Sequence, residues 1–158
     1  MSLDDWILAL HLLSAVALVA AEVVFTIMIA ALWRSDSAPR VASTMPLARV
    51  GTVLVMTGIT GTIVFGVWLA ISRDEYQVWD GWVIAALVLW AIGGFLGQKS
   101  GEGYQAGGQL AERLVAEGTT SSPELAETFG ASRAFWLHTA TLVVVVLILL
   151  DMIWKPGA

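Results

Sequence analysis

The chain has 158 residues, of which 58% are hydrophobic and 13% are charged, and its mean hydropathy is +0.79. Soluble domains carry roughly a quarter charged residues, so this composition argues against a water-soluble protein. The net charge of −5 makes nucleic acid an unsuitable partner, and the lack of cysteine excludes disulfides and a thiol nucleophile. At this length the chain is expected to form one domain over residues 1–158.

Four apolar runs predict four membrane-spanning helices. They cover residues 6–33, 50–71, 79–97 and 134–154. Each is close to or above the roughly 20 residues that cross a hydrocarbon core, and none alternates with a two-residue period. The predicted fold is therefore an all-α integral membrane four-helix bundle with up-down-up-down topology. Tryptophans at the ends of the runs fit the aromatic belts of a membrane interface: Trp6, Trp33, Trp79, Trp82, Trp136 and Trp154.

The first run contains two ionisable side chains, His11 and Glu22, in an otherwise apolar segment. They are separated by 11 residues, which places them within about 20° of one helix face. A polar stripe of this kind should face the bundle interior, because lipid cannot satisfy its hydrogen bonds. Asp4 and Asp5 precede the run, which is much longer than the apolar part of a secretory signal. We interpret it as a permanent span.

The two longer connections are expected to differ in structure. Residues 34–49 are short and interrupted by Pro39 and Pro46, whereas residues 98–133 form a partly helical polar loop. In that loop the glycine-rich segment 99–108 is expected to be flexible. Residues 109–117 predict a short helix that ends at Gly118, and Ser122-Pro123 is typical of a second helix start.

The distribution of Lys and Arg predicts the orientation of the chain. The two longer connections contain six basic residues, and the opposite side contains only Arg73 and Lys155. The excess of positive charge predicts that residues 98–133 are cytoplasmic and that both termini lie outside.

Small residues at four-residue spacing predict close helix packing in the second and third spans. They are Gly58, Thr62 and Gly66 in one span, and Gly93 and Gly97 in the other. This pattern is typical of contacts inside the bundle, and a dimer face is the alternative.

Depth estimates separate the candidate site residues into two groups. At about 1.5 Å per residue, His11 and His138 differ in depth by roughly 20 Å, which is too far for both to ligate one haem iron. Glu22 and His138 differ by only about 6 Å. Glu22 is therefore expected to form a hydrogen bond with His138 or, alternatively, with Thr60 and Thr62. Its role is either structural or that of a proton or ligand site.

His11 lies near the outer interface, where it would bond water or headgroups, or else bind haem or copper. Met152 has a similar estimated depth and is a conceivable second haem ligand, whereas Asp151 marks the end of the last span near Lys155. No metal site is expected outside this haem or copper alternative.

The segment Leu10–Ala15, LHLLSA, resembles the start of a family of bacterial predicted integral membrane proteins of unknown function. That family has a first helix of LHLLGA type, four spans, a polar loop before the last span and a Lys-Pro ending, here Lys155-Pro156. Ser14 stands where the family usually has glycine. The histidine of the first span is also similar to that of copper-resistance D proteins and membrane protoporphyrinogen oxidases, and this resemblance implies haem b binding through His11. The histidine-rich and arginine-rich motifs of the oxidases are missing here.

These observations predict a non-enzymatic plasma-membrane protein with an accessory, ligand-binding or transport-related role. Its candidate site is formed by Glu22, His138 and His11, no cofactor is expected, and its partners are the lipid bilayer and either further copies or a larger membrane complex. The alternative is a membrane redox protein that binds haem b or copper through His11.

Overall fold

The computed structural model describes residues 2–72 and 77–156; Arg73, used above to infer orientation, lies outside the described residues. The helices are α1 (Leu3–Ala31), α2 (Ala38–Thr44), α3 (Pro46–Ser72), α4 (Gly81–Ala116), α5 (Pro123–Thr128) and α6 (Arg133–Trp154). Four of them, α1, α3, α4 and α6, are long and apolar enough to cross a membrane. The prediction of an all-α membrane fold is confirmed.

Helix α1 starts earlier than its apolar run because Ser2 caps it. The Ser2 hydroxyl accepts from the backbone N–H of Asp5, and the Asp5 carboxylate accepts from the backbone N–H of Ser2. This reciprocal capping satisfies two donors that a helix start leaves unpaired. The resulting 29-residue helix is about 44 Å long, which exceeds the hydrocarbon thickness of about 30 Å.

The four long helices pack as two antiparallel pairs. Helix α1 packs along α3, and α4 packs along α6, whereas the contacts between the pairs are few and involve α1 and α6. Both pairs rely on small residues that allow close approach of the two backbones. Within the described residues, the spans therefore lie in the order α3, α1, α6, α4.

Residues 99–108 differ from the flexible segment predicted for them. They are helical and join the helix predicted from residue 109 onward to the third span, so that α4 runs without interruption to Ala116 and has 36 residues. Gly103, Gly107 and Gly108 each face another element at a distance that leaves no room for a side chain. Three of the four glycines that suggested a flexible segment are therefore contact positions, and this tertiary packing outweighs the poor helix propensity of glycine.

The sequence predicted some of the helix ends near residues 34–49 and 116–123 but not all of the helices there. Gly118 follows the end of α4 with a φ of 74°, and α5 begins at Pro123 after Ser122, as the sequence indicated. Helix α2 was not predicted, because residues 34–49 are short and contain two prolines. Pro39 occupies the first turn of α2 and Pro46 begins α3, where neither ring blocks a helical hydrogen bond.

The main hydrophobic core of the described residues lies at one end of the bundle, where α1 ends and α6 begins, and more than half of its residues lie outside the apolar runs. We call this region the polar end. Its fully buried side chains come from α1, α2, α4 and α5, and the largest are Met28, Leu32, Val41, Leu125 and Phe129. Main-chain hydrogen bonds join the α1–α2 connection to the α4–α5 connection, from Ala38 to Thr120 and from Ser122 to Asp36. The polar end is therefore a packed unit.

Candidate functional site

Glu22 and His138 meet at the contact between the two helix pairs. His138 Nδ1 lies 3.6 Å from Glu22 Oε2, and the two side chains are 9% and 15% exposed. The neighbouring Thr26 hydroxyl lies 3.0 Å from His138 Nε2 and donates to the main-chain oxygen of Glu22 at 2.7 Å. Thr26 is one helical turn after Glu22, so both side chains point toward α6.

The hydrogen bonds indicate which nitrogen of His138 carries a proton. A threonine hydroxyl has a single hydrogen, and that of Thr26 is directed to the Glu22 carbonyl. The hydroxyl can then only accept from His138, so Nε2 bears the hydrogen and Nδ1 faces Glu22 Oε2. Oε2 is buried and has no hydrogen-bond partner among the described residues. One proton can therefore be bound either by Glu22 Oε2 or by His138 Nδ1.

Among the alternatives that the sequence left open for Glu22, the structure brings together Glu22 and His138. Thr60 is exposed, and the main-chain oxygen of Thr62 lies 3.0 Å from His11 Nδ1. Thr26 was not among the candidate site residues of the sequence. The available signal was its position four residues after Glu22, but its partner is 112 residues away along the chain.

His11 lies in the contact between α1 and α3. Its Nδ1–H donates to the Thr62 carbonyl, because that oxygen can only accept. A Cβ on Gly66 would lie 2.9 Å from the His11 ring, so the glycine provides the space that the imidazole occupies. Although His11 and Glu22 share one side of α1, they contact different helices. Fifteen residues separate His11 from Thr26, or about 22 Å along the helix, which keeps His11 and His138 apart.

The small residues singled out in the sequence lie along both paired contacts. Gly58 faces Leu18 and the main-chain oxygen of Ser14 on α1. Gly93 faces Val144, and Gly97 faces Thr141, on α6. Thr62 is part of the same seam as Gly58, and its hydroxyl oxygen is buried with no partner among the described residues.

Asp151 and Met152 lie near the end of α6, whose main neighbour is α4. The main-chain oxygen of Asp151 accepts from the N–H of Lys155, which ends the helix with a φ of 42°. His11, in contrast, lies in the contact between α1 and α3, against Thr62 and Gly66. No group of three or more His, Cys, Asp or Glu residues that could hold a metal ion occurs within residues 2–72 and 77–156.

Four long apolar helices with an ionisable pair between them define an integral membrane protein. The chain belongs to the family described as "Predicted integral membrane protein (DUF2269)", whose model matches residues 5–156. This match confirms the resemblance seen at Leu10–Ala15. No curated protein and no solved structure matches the chain.

Proposed function

We propose that this protein is a non-enzymatic subunit of the bacterial plasma membrane that binds and releases a proton at Glu22 and His138. The role is transport-related or ligand-binding, and it is carried out with further copies of the chain or within a larger membrane complex. The proposal depends on one observation, the 3.6 Å approach of His138 Nδ1 to Glu22 Oε2 beside the bridging Thr26 hydroxyl.

The chemistry of the pair supports proton exchange. With Nε2–H held by Thr26, one proton can belong either to Glu22, leaving both groups neutral, or to Nδ1, giving a carboxylate and an imidazolium. These two states have the same net charge, whereas uptake or loss of a further proton changes the net charge inside the membrane. Embedded ionisable groups of this kind are costly and commonly mark ion or proton pathways.

The location of the pair supports a coupled conformational role. Glu22 belongs to the α1–α3 pair and His138 to the α4–α6 pair, and away from the polar end few other contacts join the two pairs. A change in charge at this contact therefore alters the attraction between the two halves of the membrane region. This is the property required of a proton-driven or proton-sensing membrane protein.

The proposed orientation follows from the basic residues. Six of the eight Lys and Arg residues lie in residues 34–49 and 98–133, on the side of the polar end. By the positive-inside rule the polar end is cytoplasmic and both termini lie outside. Glu22 is then in the cytoplasmic half of the membrane.

Infrared difference spectroscopy of the protein in liposomes tests the proton site directly. Titration of the wild type should reveal a protonated-carboxyl band that disappears in Glu22→Gln and shifts in His138→Gln. Asp151→Asn is the matched control, because it removes an acid of α6 outside this site, and it should retain the band. A titration without any band that depends on Glu22 would contradict the proposal.

Proton flux into the same liposomes, measured with an enclosed pH dye, tests the transport-related role. Glu22→Gln and His138→Gln should reduce flux, while Asp151→Asn should not. Equal flux in protein-containing and empty liposomes would exclude proton conduction by the isolated chain, and the ligand-binding or subunit role would then remain as the proposal.

A haem b- or copper-binding redox protein is the second candidate, favoured by the orientation of His11. Metal-binding histidines usually donate one ring N–H to a carbonyl or carboxylate and bind the metal through the other nitrogen. The bond from His11 Nδ1 to the Thr62 carbonyl has this arrangement and leaves Nε2 available. A bound haem b would supply one-electron redox chemistry.

Absorption spectroscopy separates this candidate from the first. Purified wild type titrated with haem b should develop a Soret band that His11→Ala lacks and His138→Ala retains, and Cu(II) binding can be followed with the same variants. If haem does not change the wild-type spectrum and the protein retains no copper, the hypothesis of a redox protein is excluded.

A further inference from the structure

An open, shallow cavity of about 430 Å³ lies at the polar end, beside the start of α6. Volumes of this size are within the range that small-molecule groups occupy in proteins. The lining residues come from the turn after α1, from α5 and from the α5–α6 connection: Arg34, Ala126, Glu127, Gly130, Ala131 and Ser132.

The cavity has one cationic and one anionic side chain, Arg34 and Glu127, and both are exposed. They do not form an ion pair with each other or with any other residue in the described part of the chain. Two opposite charges that border one cavity without pairing fit a ligand that carries both charges. The stem of Arg34 packs against Gly130, with its Cγ 3.6 Å from the position that a Cβ there would occupy. The main chain of Arg34 is fixed as well, because its N–H donates to the main-chain oxygen of Phe129.

Aromatic side chains place the cavity at the depth of lipid headgroups. Trp33, directly before Arg34, is 44% exposed, and its ring packs on Phe135 with centroids 5.0 Å apart. Phe135 in turn contacts Trp136, which is 63% exposed. Exposed tryptophans mark the boundary between hydrocarbon and headgroups. Arg34 and Ser132 lie next to this boundary on the side of the polar end.

We infer that the cavity binds the headgroup of a zwitterionic phospholipid with a primary ammonium group, as in phosphatidylethanolamine. The planar guanidinium of Arg34 would bind the phosphate through paired N–H donors. The carboxylate of Glu127 would accept hydrogen bonds from the ammonium group. Phosphatidylcholine has no N–H donors for Glu127, and phosphatidylglycerol has no cation. The site is therefore selective by hydrogen bonding as well as by charge.

Native mass spectrometry of delipidated wild type, titrated with short-chain phospholipids, tests the inference. Phosphatidylethanolamine should bind about tenfold more tightly than phosphatidylcholine or phosphatidylglycerol. Soluble glycerophosphoethanolamine should bind more weakly than the lipid, since it lacks the chains that contact the exposed aromatic rings. Equal binding of the three lipids, or tighter binding of the soluble headgroup, would overturn the inference.

Two variants with matched controls assign the binding to this cavity. Arg34→Asn suits the left-handed conformation at this position, where φ is 53°, and should weaken binding of phosphatidylethanolamine about tenfold. Glu127→Gln should remove the preference over phosphatidylglycerol. Arg113→Asn and Glu124→Gln change exposed charges elsewhere at the polar end and should leave both measurements unchanged. Loss of binding in these controls as well would show that only the overall charge matters and would contradict the site.

Discussion

The main-chain oxygen of Ser14 on α1 faces Gly58 on α3 so closely that a Cβ on Gly58 would lie 2.9 Å from it. The backbone N of Leu18 lies equally near. Backbone atoms cannot move aside as the end of a flexible side chain can. Gly58→Ala should therefore separate α1 from α3, at a cost typical of overpacking, about 1–3 kcal/mol.

Unfolding by SDS in mixed micelles measures this cost. Gly94→Ala is the matched control, because a Cβ on Gly94 meets nothing within 4 Å and the helix propensity of alanine is higher. The control should be neutral or slightly stabilising. If both variants unfold alike, the close approach at Ser14 does not contribute to the pairing of α1 and α3.

Thr26→Val should weaken the contact between the helix pairs. It removes the hydroxyl that accepts from His138, and interhelical hydrogen bonds in membranes contribute about 0.6 kcal/mol on average. Thr52→Val is the matched control, because Thr52 is also exposed and also donates to the carbonyl four residues earlier, but bonds no other helix in the described structure. SDS unfolding should be more sensitive to Thr26→Val. An equal effect would mean that the bond to His138 adds no stability.

Arg40→Gln should destabilise the end of α1. Arg40 Nη2 donates to the carbonyl of Ala31, one of the oxygens that a helix end leaves unpaired, at 2.8 Å. Loss of this exposed but charged hydrogen bond should cost about 1 kcal/mol in unfolding. Arg49 makes no such hydrogen bond among the described residues, so Arg49→Gln should lower the free energy of unfolding only slightly. Hydrogen exchange of the last turn of α1 gives a second, local measurement, and unchanged exchange in Arg40→Gln would contradict the capping role.

Tyr104→Phe should be neutral or stabilising. The Tyr104 ring is 5% exposed and stacks on Phe129, with centroids 5.6 Å apart, but its hydroxyl is buried without a partner among the described residues. Removing an unsatisfied buried hydroxyl while retaining the ring removes a desolvation cost. Tyr104→Ala should instead cost about 3–5 kcal/mol, because it leaves a cavity in the polar end. Destabilisation by Tyr104→Phe would reveal a hydroxyl partner.

Reporter fusions test the proposed orientation. An insertion after Gly118 suits this purpose, because the residue is exposed, follows the end of α4 and has nothing within 4 Å of its Cβ position. A reporter there should be active in the cytoplasm, and one fused to the C-terminus should be active outside. The reverse pattern would overturn the positive-inside assignment without changing the Glu22–His138 contact.

The sequence predicts the four spans well, because length and hydropathy are local properties of each run. It also predicts the ends of helices where a single residue determines the backbone, as at Gly118 and Pro123. It fails for residues 99–108, because the role of Gly107 depends on Phe129, and nothing near Gly107 in the sequence indicates that contact.

The candidate site was likewise predictable only in part. Helical periodicity places His11 and Glu22 on one side of α1, and depth estimates bring Glu22 near His138. Periodicity does not show that His11 contacts α3 while Glu22 contacts α6, because the neighbours of a helix depend on how the pairs assemble. The bridging role of Thr26 could not be inferred, since threonines in membrane helices commonly bond only their own backbone.

The arrangement of the polar end has a consequence for the order of events during synthesis. Met28 and Leu32 emerge from the ribosome early, yet they are covered by Leu125 and Phe129, which are made almost 100 residues later. The α1–α3 hairpin can therefore enter the membrane well before its own end is shielded from water. A chain released after α4 would present this apolar surface to chaperones and proteases, so quality control of this protein should act on whether α5 and α6 have arrived.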